Sequence, residues 1–532
     1  MATYDLLFSN ATLIDGTGAA RRTASVAVRH DAIVEIGEIG PDGAGRVVDA
    51  TGLVLAPGFI DMHTHSDRSL LVDPDAQSKV QQGVTTELIG NCGSSPTPFL
   101  GAVADEEGAR LARWGVAPTW RTMGEYLDAL EDGGVGINVL ALVGHGSVRK
   151  AAMGYAMRPP DAQELAEIRR LVAESMAGGA IGMSFGGIYP PSNYAATEEL
   201  IEASCEVAAA NGIYACHMRN EREGLLDAVR ESIWIGRESG AAVQISHHKA
   251  SSPRVWGLVN ESLKLIEDAH ADGLDVAFDQ YPYRASSTNL NAMLPPWAHE
   301  GGPAGMLARL RDPAERARIL DDLRGDRPSG TGAGLTADDI LIASCRTDRS
   351  LDGKTVAQVA EERSTEPKET ILDILEQNEA DVAAIYFSMS EDDVRTVMRH
   401  PLMTMGSDSV SMTIGGRSAE GKPHPRTYGA FVRILGHYVR DEGVLSLEEA
   451  VVKFSGRCAA RLGLADRGTV ELGKRADLVL FSAERVREAA TFQDPHRYAE
   501  GIELVVVNGR VAVERGRHTG TLAGRVLRNP RA

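Results

Sequence analysis

Residues 57–66, PGFIDMHTHS, form a short apolar run that ends in two histidines, His63 and His65. In a β-strand, residues two positions apart point to the same face, so both imidazoles would lie together while Thr64 points the other way. Neutral imidazole is the commonest side-chain metal ligand and suits a borderline ion such as zinc. The stretch therefore predicts a strand that leads into a metal site, and the rest of the chain must supply further ligands and a base.

A pattern of apolar strand, loop and amphipathic helix repeats through residues 57–467. Helical segments such as DAQELAEIRRLVAESMAGG and TEELIEASCEVAAANG alternate with the short apolar runs. This alternation predicts an α/β fold with a parallel sheet, and eight such units close a (β/α)8 barrel of the TIM type. A doubly wound open sheet is the alternative. The candidate strands are, in chain order, PGFIDMH, GVTTELIGN, GINVLALVG, GAIGMSF, NGIYACH, AAVQISH, LDVAFDQY and PLMTMGSD.

Other segments do not fit the repeat. Residues 1–56 and 468–532 alternate apolar and polar residues between turn signals, which predicts one small β-sandwich domain built from both chain ends. Two additional strand-like runs, DDILIASC and DVAAIYFSMS, exceed the eight that a barrel needs. We therefore expect an insertion in the barrel, and we place it at about residues 284–345, a stretch rich in Gly, Pro, Arg and Asp.

Composition limits the class of protein. The chain has 532 residues, 43% of them hydrophobic, and a formal charge of −19, which argues against nucleic acid or an anionic membrane as a partner. The five cysteines are odd in number and widely spaced, so they do not form a disulfide framework. With no leader pattern and no apolar stretch of membrane-spanning length, we expect a cytoplasmic enzyme with a small-molecule substrate. Its oligomeric state stays open.

Polar residues interrupt the candidate strands at their carboxyl ends, which is where barrel enzymes carry their active sites. His63 and Cys92 are 29 residues apart, and His217 and His247 are 30 apart, so each pair spans about one strand-helix repeat. Asp408 closes the last candidate strand. Each of these residues has an ordinary structural alternative, since a lone histidine or cysteine at a strand end is more often a core residue. It is improbable that six such residues, all at strand ends, are there for structural reasons alone.

Further motifs carry a resemblance to a known family. PGFIDMHTHSD marks only the amidohydrolase superfamily, but with the other motifs the chain resembles its D-aminoacylase, or N-acyl-D-amino-acid deacylase, branch over nearly its whole length. The more specific motifs are, in order, GVTTELIGNCGSSP, LVGHGSVR, GAIGMSFGGIYPPSNYA, CHMRNE, SHHKAS, DQYPYRASST and MGSDS.

The resemblance implies a metal centre. The positions matching Cys92, His217 and His247 would bind a tightly held zinc ion. A second, weaker position would be formed by His63, His65 and Asp408, with the thiolate able to bridge. Many relatives bridge two metals through a carboxylated lysine on the fourth strand, but AIGMSFG contains no lysine, so Cys92 is the evident substitute.

The resemblance also implies an activity, which is hydrolysis of an N-acyl-D-amino acid to a carboxylate and a free D-amino acid. Zinc would activate water and polarise the acyl carbonyl, while Asp408 serves as general base and then general acid. The substrate carboxylate would be held by residues matching Lys249, Tyr281 and Ser287. His145 is a possible supporting residue near the metal, and two arginines, Arg284 and Arg426, could recognise an acidic side chain.

Two other functions stay open on the sequence alone. A cyclic-amide hydrolase of the hydantoinase or dihydroorotase kind is disfavoured by the missing fourth-strand lysine and by the cysteine after the second strand. A non-catalytic scaffold with this fold is disfavoured because every expected ligand is present.

Overall fold

The computed structural model describes residues 3–325, 330–332 and 334–532. The chain begins with five short strands that belong to a peripheral sheet. They are β1 (Leu6–Leu13), β2 (Arg22–Arg29), β3 (Ala32–Gly37), β4 (Val47–Asp49) and β5 (Val54–Pro57).

A barrel of eight parallel strands follows, interrupted once before its last strand. The first seven barrel strands are β6 (Phe59–Asp61), β7 (Val84–Ile89), β8 (Asn138–Gly144), β9 (Gly182–Gly186), β10 (Ile213–His217), β11 (Ala242–Ile245) and β12 (Val276–Gln280). The interruption contributes β13 (Ser286–Asn289), β14 (Ile340–Cys345) and β15 (Val382–Tyr386), after which β16 (Met403–Met405) completes the barrel. The chain then returns to the peripheral sheet with β17 (Leu478–Phe481), β18 (Ile502–Val507), β19 (Arg510–Glu514) and β20 (Arg517–His518).

Helices cover the outside of the barrel and fill the interruption. The α-helices of the described residues are α1 (Gln77–Val80), α2 (Gly101–Ala112), α3 (Met123–Gly133), α4 (His145–Met153), α5 (Ala162–Ala177), α6 (Thr197–Ala209), α7 (Leu225–Ser239), α8 (Val259–Ala271), α9 (Gly302–Arg311), α10 (Pro313–Arg324), α11 (Val356–Arg363), α12 (Pro367–Gln377), α13 (Glu391–Arg399), α14 (Arg426–Arg433), α15 (Leu447–Phe454) and α16 (Gly456–Leu462). A π-helical segment, Ile434–Asp441, extends α14. None of the described helices is both long and apolar enough to cross a bilayer.

The barrel prediction is confirmed, because all eight predicted strands are present and pair in one parallel series. The series closes where the first and last strands meet, since Met62 N donates to Met405 O at 2.9 Å and Asp408 N donates to His63 O at 2.8 Å. The open-sheet alternative is therefore wrong. Closure brings the end of β6 beside the end of β16, although about 340 residues separate them in the chain.

Strand side chains alternate between two apolar layers. On β10, Tyr214 and Cys216 face the surrounding helices, while Ile213 and Ala215 face the barrel interior. The interior layer is closed from below by α16, which contributes Leu462. Because the period of a strand is two residues, His217 continues the inward row from the apolar layer to the carboxyl end of the barrel.

The peripheral sheet joins both chain ends. Its nine strands pair in the order β20-β19-β18-β17-β5-β1-β2-β3, with β4 beside β1. One face encloses its own apolar cluster, which includes Phe8 and Leu478, and the other face packs Val479 and Val505 toward the barrel. That the two ends act as a separate domain, bounded at residues 56 and 468, stays a prediction.

The interruption forms a small body with its own sheet and core. Strands β13, β15 and β14 pair antiparallel, and helices α9 to α12 pack against them around residues such as Leu372 and Tyr386. The insertion therefore extends to Tyr386 rather than ending at residue 345, because both additional strand-like runs pair within this sheet. Residues 326–329 and 333 of the predicted insertion lie outside the described residues.

Gly90, two residues before the site residue Cys92, lies where the end of β7 closely approaches β8. Its φ is +81°, and an added Cβ would lie 2.0 Å from Leu142 O. We expect Gly90→Ala to lower the free energy of unfolding by at least about 2 kcal/mol more than Gly520→Ala does, since overpacking typically costs about 1–3 kcal/mol. Gly520 is a matched control because it has the same φ and no atom within 4 Å of the added Cβ. Equal denaturant midpoints for the two variants would contradict the prediction.

Candidate metal centre

The carboxyl ends of five strands bring the six predicted ligands together at one end of the barrel. His63 and His65 follow β6, Cys92 follows β7, and Asp408 follows β16. The ligand-bearing atoms form two groups, each with all atoms within 4.8 Å of one another: His63, His65, Cys92 and Asp408 in one, and Cys92, His217 and His247 in the other. Cys92 belongs to both groups.

The His-x-His pair lies beyond its strand rather than within it. Strand β6 ends at Asp61, but the chain stays extended because Thr64 N donates to Leu88 O at 3.0 Å and Thr64 pairs with Ser409. Both imidazoles still lie together, with ring centroids 5.4 Å apart for His63 and His65, and the Nε2 atoms of both face Asp408 Oδ1. The predicted same-face placement therefore holds, although the regular strand is shorter than expected.

Three of the ligand residues have left-handed backbone conformations. Their φ values are +53° for Cys92, +37° for His247 and +50° for Asp408. Such conformations cost of the order of 1–3 kcal/mol each in a residue other than glycine, and they cluster at functional sites. In each case the chain turns directly after its strand, and the side chain points into the barrel mouth.

The thiol group has the spacing of a tetrahedral zinc site. Cys92 Sγ lies 3.7 Å from His217 Nδ1 and 3.5 Å from His247 Nε2. Zinc–sulfur and zinc–nitrogen bonds of the usual lengths, about 2.3 and 2.0–2.1 Å, place tetrahedral ligand atoms about 3.6 Å apart. One thiolate and two imidazoles with a free fourth position are also the donor chemistry of a zinc enzyme. The residues present therefore fit zinc.

The second group is arranged around one carboxylate oxygen. Asp408 Oδ1 lies 3.0 Å from His65 Nε2 and 3.6 Å from His63 Nε2. His63 Nε2 is also 3.3 Å from Cys92 Sγ, so the sulfur faces both groups. A second ion could bind here with two imidazoles, the carboxylate and the shared sulfur.

Electrostatics favour the charged form of the thiol and of the carboxyl. Burial opposes a charge on Cys92, but the charges of His63 and His247 and hydrogen bonds from His217 and His247 outweigh it and hold the pKa of the thiol well below its ordinary 9.0. Burial likewise opposes a charge on Asp408, yet Arg426 and His65 hold the pKa of its carboxyl well below its usual range. Both groups can therefore accept a cation or a proton at neutral pH.

The imidazoles are oriented by two buried carboxylates that the sequence analysis did not single out. Glu221 Oε1 lies 3.0 Å from His247 Nδ1, and Asp279 Oδ1 lies 3.1 Å from His63 Nδ1. For His63, a carboxylate on the far nitrogen favours the tautomer in which the near nitrogen is free to bind a metal, whereas His247 Nδ1 also lies 2.8 Å from Lys249 Nζ. Asp279 is an inward residue of β12, so the available signal was an acidic residue on an otherwise apolar inward row. Glu221 lies beyond its strand, at the end of the CHMRNE motif.

Arg426 forms a buried ion pair with Asp408. The sequence predicts Arg426 as a residue that could recognise an acidic side chain of the substrate, but its Nη1 donates to Asp408 Oδ2 at 2.7 Å. Its Nη2 donates to Ser287 O at 3.2 Å, and its guanidinium lies 4.7 Å from the centre of the Tyr281 ring. Arg426 therefore joins the carboxylate of the metal cluster to the predicted substrate-binding residues.

The three predicted substrate-binding residues line the same cavity as five of the six predicted metal ligands, all but His63. Lys249 Nζ lies 2.6 Å from Glu221 Oε1 and 5.7 Å from the centre of the Tyr281 ring. Ser287 lies on β13 of the insertion, where its hydroxyl donates to Ala384 O at 3.1 Å. The cavity has a volume of about 760 Å³, and residues of both the barrel and the insertion form its walls.

Two other predicted residues lie elsewhere. His145 is fully buried, with Nδ1 2.9 Å from Ser192 Oγ and Nε2 3.2 Å from Glu199 Oε1. Among the described residues, none of its polar contacts reaches a member of the metal cluster. Arg284 is exposed and is not part of the cavity wall.

The sequence and the fold are similar to those of known proteins. A family model described as the amidohydrolase family matches residues 46–513. The chain is 39% identical to D-aminoacylase from Alcaligenes xylosoxydans xylosoxydans, over 98% of this chain and 97% of that protein.

Two solved structures share the fold over the full length. One is a D-aminoacylase, described as having a binuclear metal centre with one-metal activation and second-metal attenuation, with a TM-score of 0.83 and 37% identity over 99% of this chain and 100% of that one. The other is N-acyl-D-glutamate deacylase from Bordetella bronchiseptica in complex with zinc and a phosphonate inhibitor that mimics the tetrahedral intermediate. It has a TM-score of 0.83 and 34% identity, covering 99% of each chain.

The low thiol pKa can be measured directly in metal-free protein. Burial raises the pKa of Cys216, Cys345 and Cys458 to about 12. We therefore expect the chelated protein to show the 240-nm absorbance of a single thiolate at pH 7.5, well below the ordinary thiol pKa of 9.0. The signal should be absent from Cys92→Ser. Cys205→Ser is the matched control and should keep the signal, because burial raises the pKa of that thiol as well. A signal that appears only above pH 9, or that survives in Cys92→Ser, would contradict the assignment.

Proposed function

Because this chain belongs to the amidohydrolase family, we propose that it hydrolyses N-acyl-D-amino acids to a carboxylate and a free D-amino acid with the help of bound zinc. The observation that carries the proposal is the convergence of Cys92, His217 and His247 with Asp408 in a chain that is similar over its full length to D-aminoacylase. The chain is a hydrolase of linear amide bonds, and the cyclic-amide alternative is not favoured, since the relatives that are 35–39% identical over nearly the whole chain are D-aminoacylase and N-acyl-D-amino-acid deacylases.

Cys92, His217 and His247 would hold zinc in the tight position, and His63, His65 and Asp408 would form the weaker one. When bound, zinc supplies a Lewis acid that makes water nucleophilic near neutral pH and polarises the acyl carbonyl. Glu221 and Asp279 keep the far nitrogens of two imidazoles paired, so the near nitrogens face the centre. A solved relative that contains zinc supports this choice of ion.

Asp408 is the proposed proton carrier. Arg426 occupies Oδ2 of its carboxylate, which leaves Oδ1 facing the cluster. Oδ1 would accept the proton of the attacking water and then deliver it to the leaving amide nitrogen. Because the pKa of this carboxyl is held low, the acceptor is unprotonated at the start of each cycle.

Lys249, Tyr281 and Ser287 are proposed to bind the α-carboxylate of the substrate. The ammonium group and the hydroxyls line the cavity beside the cluster. With the carboxylate held there and the acyl group held at the metal, two substituents of the substrate Cα are fixed. Only one hand of the amino acid then directs its side chain into the open part of the cavity.

Hydrolysis of N-acetyl-D-methionine tests the reaction and its base together. We expect zinc-loaded protein to cleave the D-substrate and not its L-enantiomer or dihydrouracil, and Asp408→Asn to lower kcat by at least about 100-fold, as expected for loss of a general base. Comparison with N-acetyl-D-glutamate in the same assay shows whether the enzyme prefers a hydrophobic or an acidic substrate side chain. Asp477→Asn, which changes a buried carboxylate just before β17 that pairs with Arg467, is the control and should keep kcat. Cleavage of dihydrouracil alone would reject the deacylase proposal.

Zinc content per chain tests the tight position. We expect a chelator to abolish activity and about one equivalent of zinc to restore it. We expect Cys92→Ala to bind zinc at least about 100-fold more weakly than the parent, because changing even a residue that supports a metal ligand lowers metal affinity by about 10–100-fold. Cys216→Ala is the matched control, since this buried cysteine faces the helix layer. Loss of zinc from both variants alike, or from neither, would contradict the ligand assignment.

A further inference from the structure

A fully buried lysine lies beneath the site. Lys79 is on the short helix α1, and its side chain has no exposed surface. Its Nζ donates to Asp61 Oδ2 at 3.0 Å, to Ser407 Oγ at 2.6 Å and to Ser409 Oγ at 2.7 Å. All three hydrogens of the ammonium group therefore have a partner.

The partners of Lys79 belong to the two segments that close the barrel. Asp61 ends β6, and its other oxygen, Oδ1, accepts from Ser407 N at 2.8 Å and from His63 N at 3.3 Å. Ser407 and Ser409 are the immediate neighbours of Asp408 on either side. The Lys79–Asp61 pair thus links the backbone that carries the first ligand histidine to the backbone on both sides of the catalytic carboxylate.

The position between Ser407 and Ser409 needs such support. Asp408 has a φ of +50°, a conformation that persists only when its surroundings determine it. Its amide donates to His63 O, which also joins the two segments. The serine hydroxyls are 2.8 Å apart and both reach the same ammonium group, so they form a closed ring under the strained residue.

A buried ion pair is a costly way to gain stability, because well-packed apolar residues of similar volume are often at least as stabilising. What an ammonium group adds is directional contact with several acceptors at once. Here those contacts lead to the flanks of one residue of the site.

We propose that Lys79 is a positioning residue that holds Asp408 in its left-handed conformation through Ser407 and Ser409. It does not touch the substrate or the reacting atoms. Its kinetic consequences rest on the proposed function, whereas its effect on the backbone of the Asp408 segment does not.

The test removes the links and leaves the ion pair in place. Ser407→Ala/Ser409→Ala deletes both hydroxyls while Lys79 and Asp61 remain paired. The matched control is Ser69→Ala/Ser411→Ala, which deletes a buried hydroxyl pair, 3.0 Å apart, with one member in the same segment. Lys79→Met is a second variant, and Lys453→Met is its control, since Lys453 is also buried but donates to His400 O.

For zinc-loaded enzyme we expect kcat on N-acetyl-D-methionine to fall by about 10–100-fold in the Ser407/Ser409 variant, the loss typical of a slightly misplaced catalytic group. KM should stay within about two-fold, because Lys249, Tyr281 and Ser287 are untouched. An unchanged kcat, or a KM that rises in step with the fall in kcat, would overturn the proposal. The Ser69/Ser411 control should match the parent.

Hydrogen exchange gives a readout that does not depend on the substrate. We expect the Asp408 amide to exchange at least about 10-fold faster in the Ser407/Ser409 variant than in the parent and the Ser69/Ser411 control, since local opening sets the rate. Equal rates would overturn the proposal. If the parent cleaves no N-acyl-D-amino acid, the proposed function fails and this measurement alone decides the role of Lys79.

Discussion

Closure of the barrel between β6 and β16 is the constraint on which the site depends. Parallel strands direct all their carboxyl ends to one edge, but an open sheet would leave its first and last strands far apart. In the closed barrel, Asp408 N donates to His63 O, so a carboxylate from the last strand lies beside the imidazoles that follow the first. The opposite strands β10 and β11 then supply His217 and His247 across the same opening.

Charge balance is the second feature of the site. Three buried pairs of opposite charge lie near the metal cluster: Lys249 with Glu221, Arg426 with Asp408, and Lys79 with Asp61. An unpaired charge in such surroundings would neutralise itself or destabilise the fold. The pairs also connect parts of the site. Each pair links a residue of the metal cluster, or a residue close to one in the chain, to the cavity wall or to the barrel below.

The sequence predicted which candidate ligands lie together better than it predicted the residues that support them. His63, His65, Cys92 and Asp408 each follow an apolar run, so their place at a strand end could be inferred from pattern alone. Glu221 and Lys79 gave weaker signals, because an acidic or basic residue in a loop or short helix is usually solvated, and Asp279 is a single acidic residue within the apolar strand β12. Their roles depend on which way each side chain points, and His145 shows the converse, since a histidine at a strand end points to Ser192 and Glu199 instead.

Periodicity of apolar residues determined the class of fold, because strands and helices bury their faces with different periods, and the motif order was sufficient to identify the family. The length of the insertion was not determined in this way, since β14 and β15 have the same local pattern as barrel strands and only their pairing with β13 separates them. The distances within the metal cluster, the left-handed turns at Cys92, His247 and Asp408, and the partners of the buried ions were decided only by tertiary structure. They result from contacts between residues far apart in the chain, which no local pattern records.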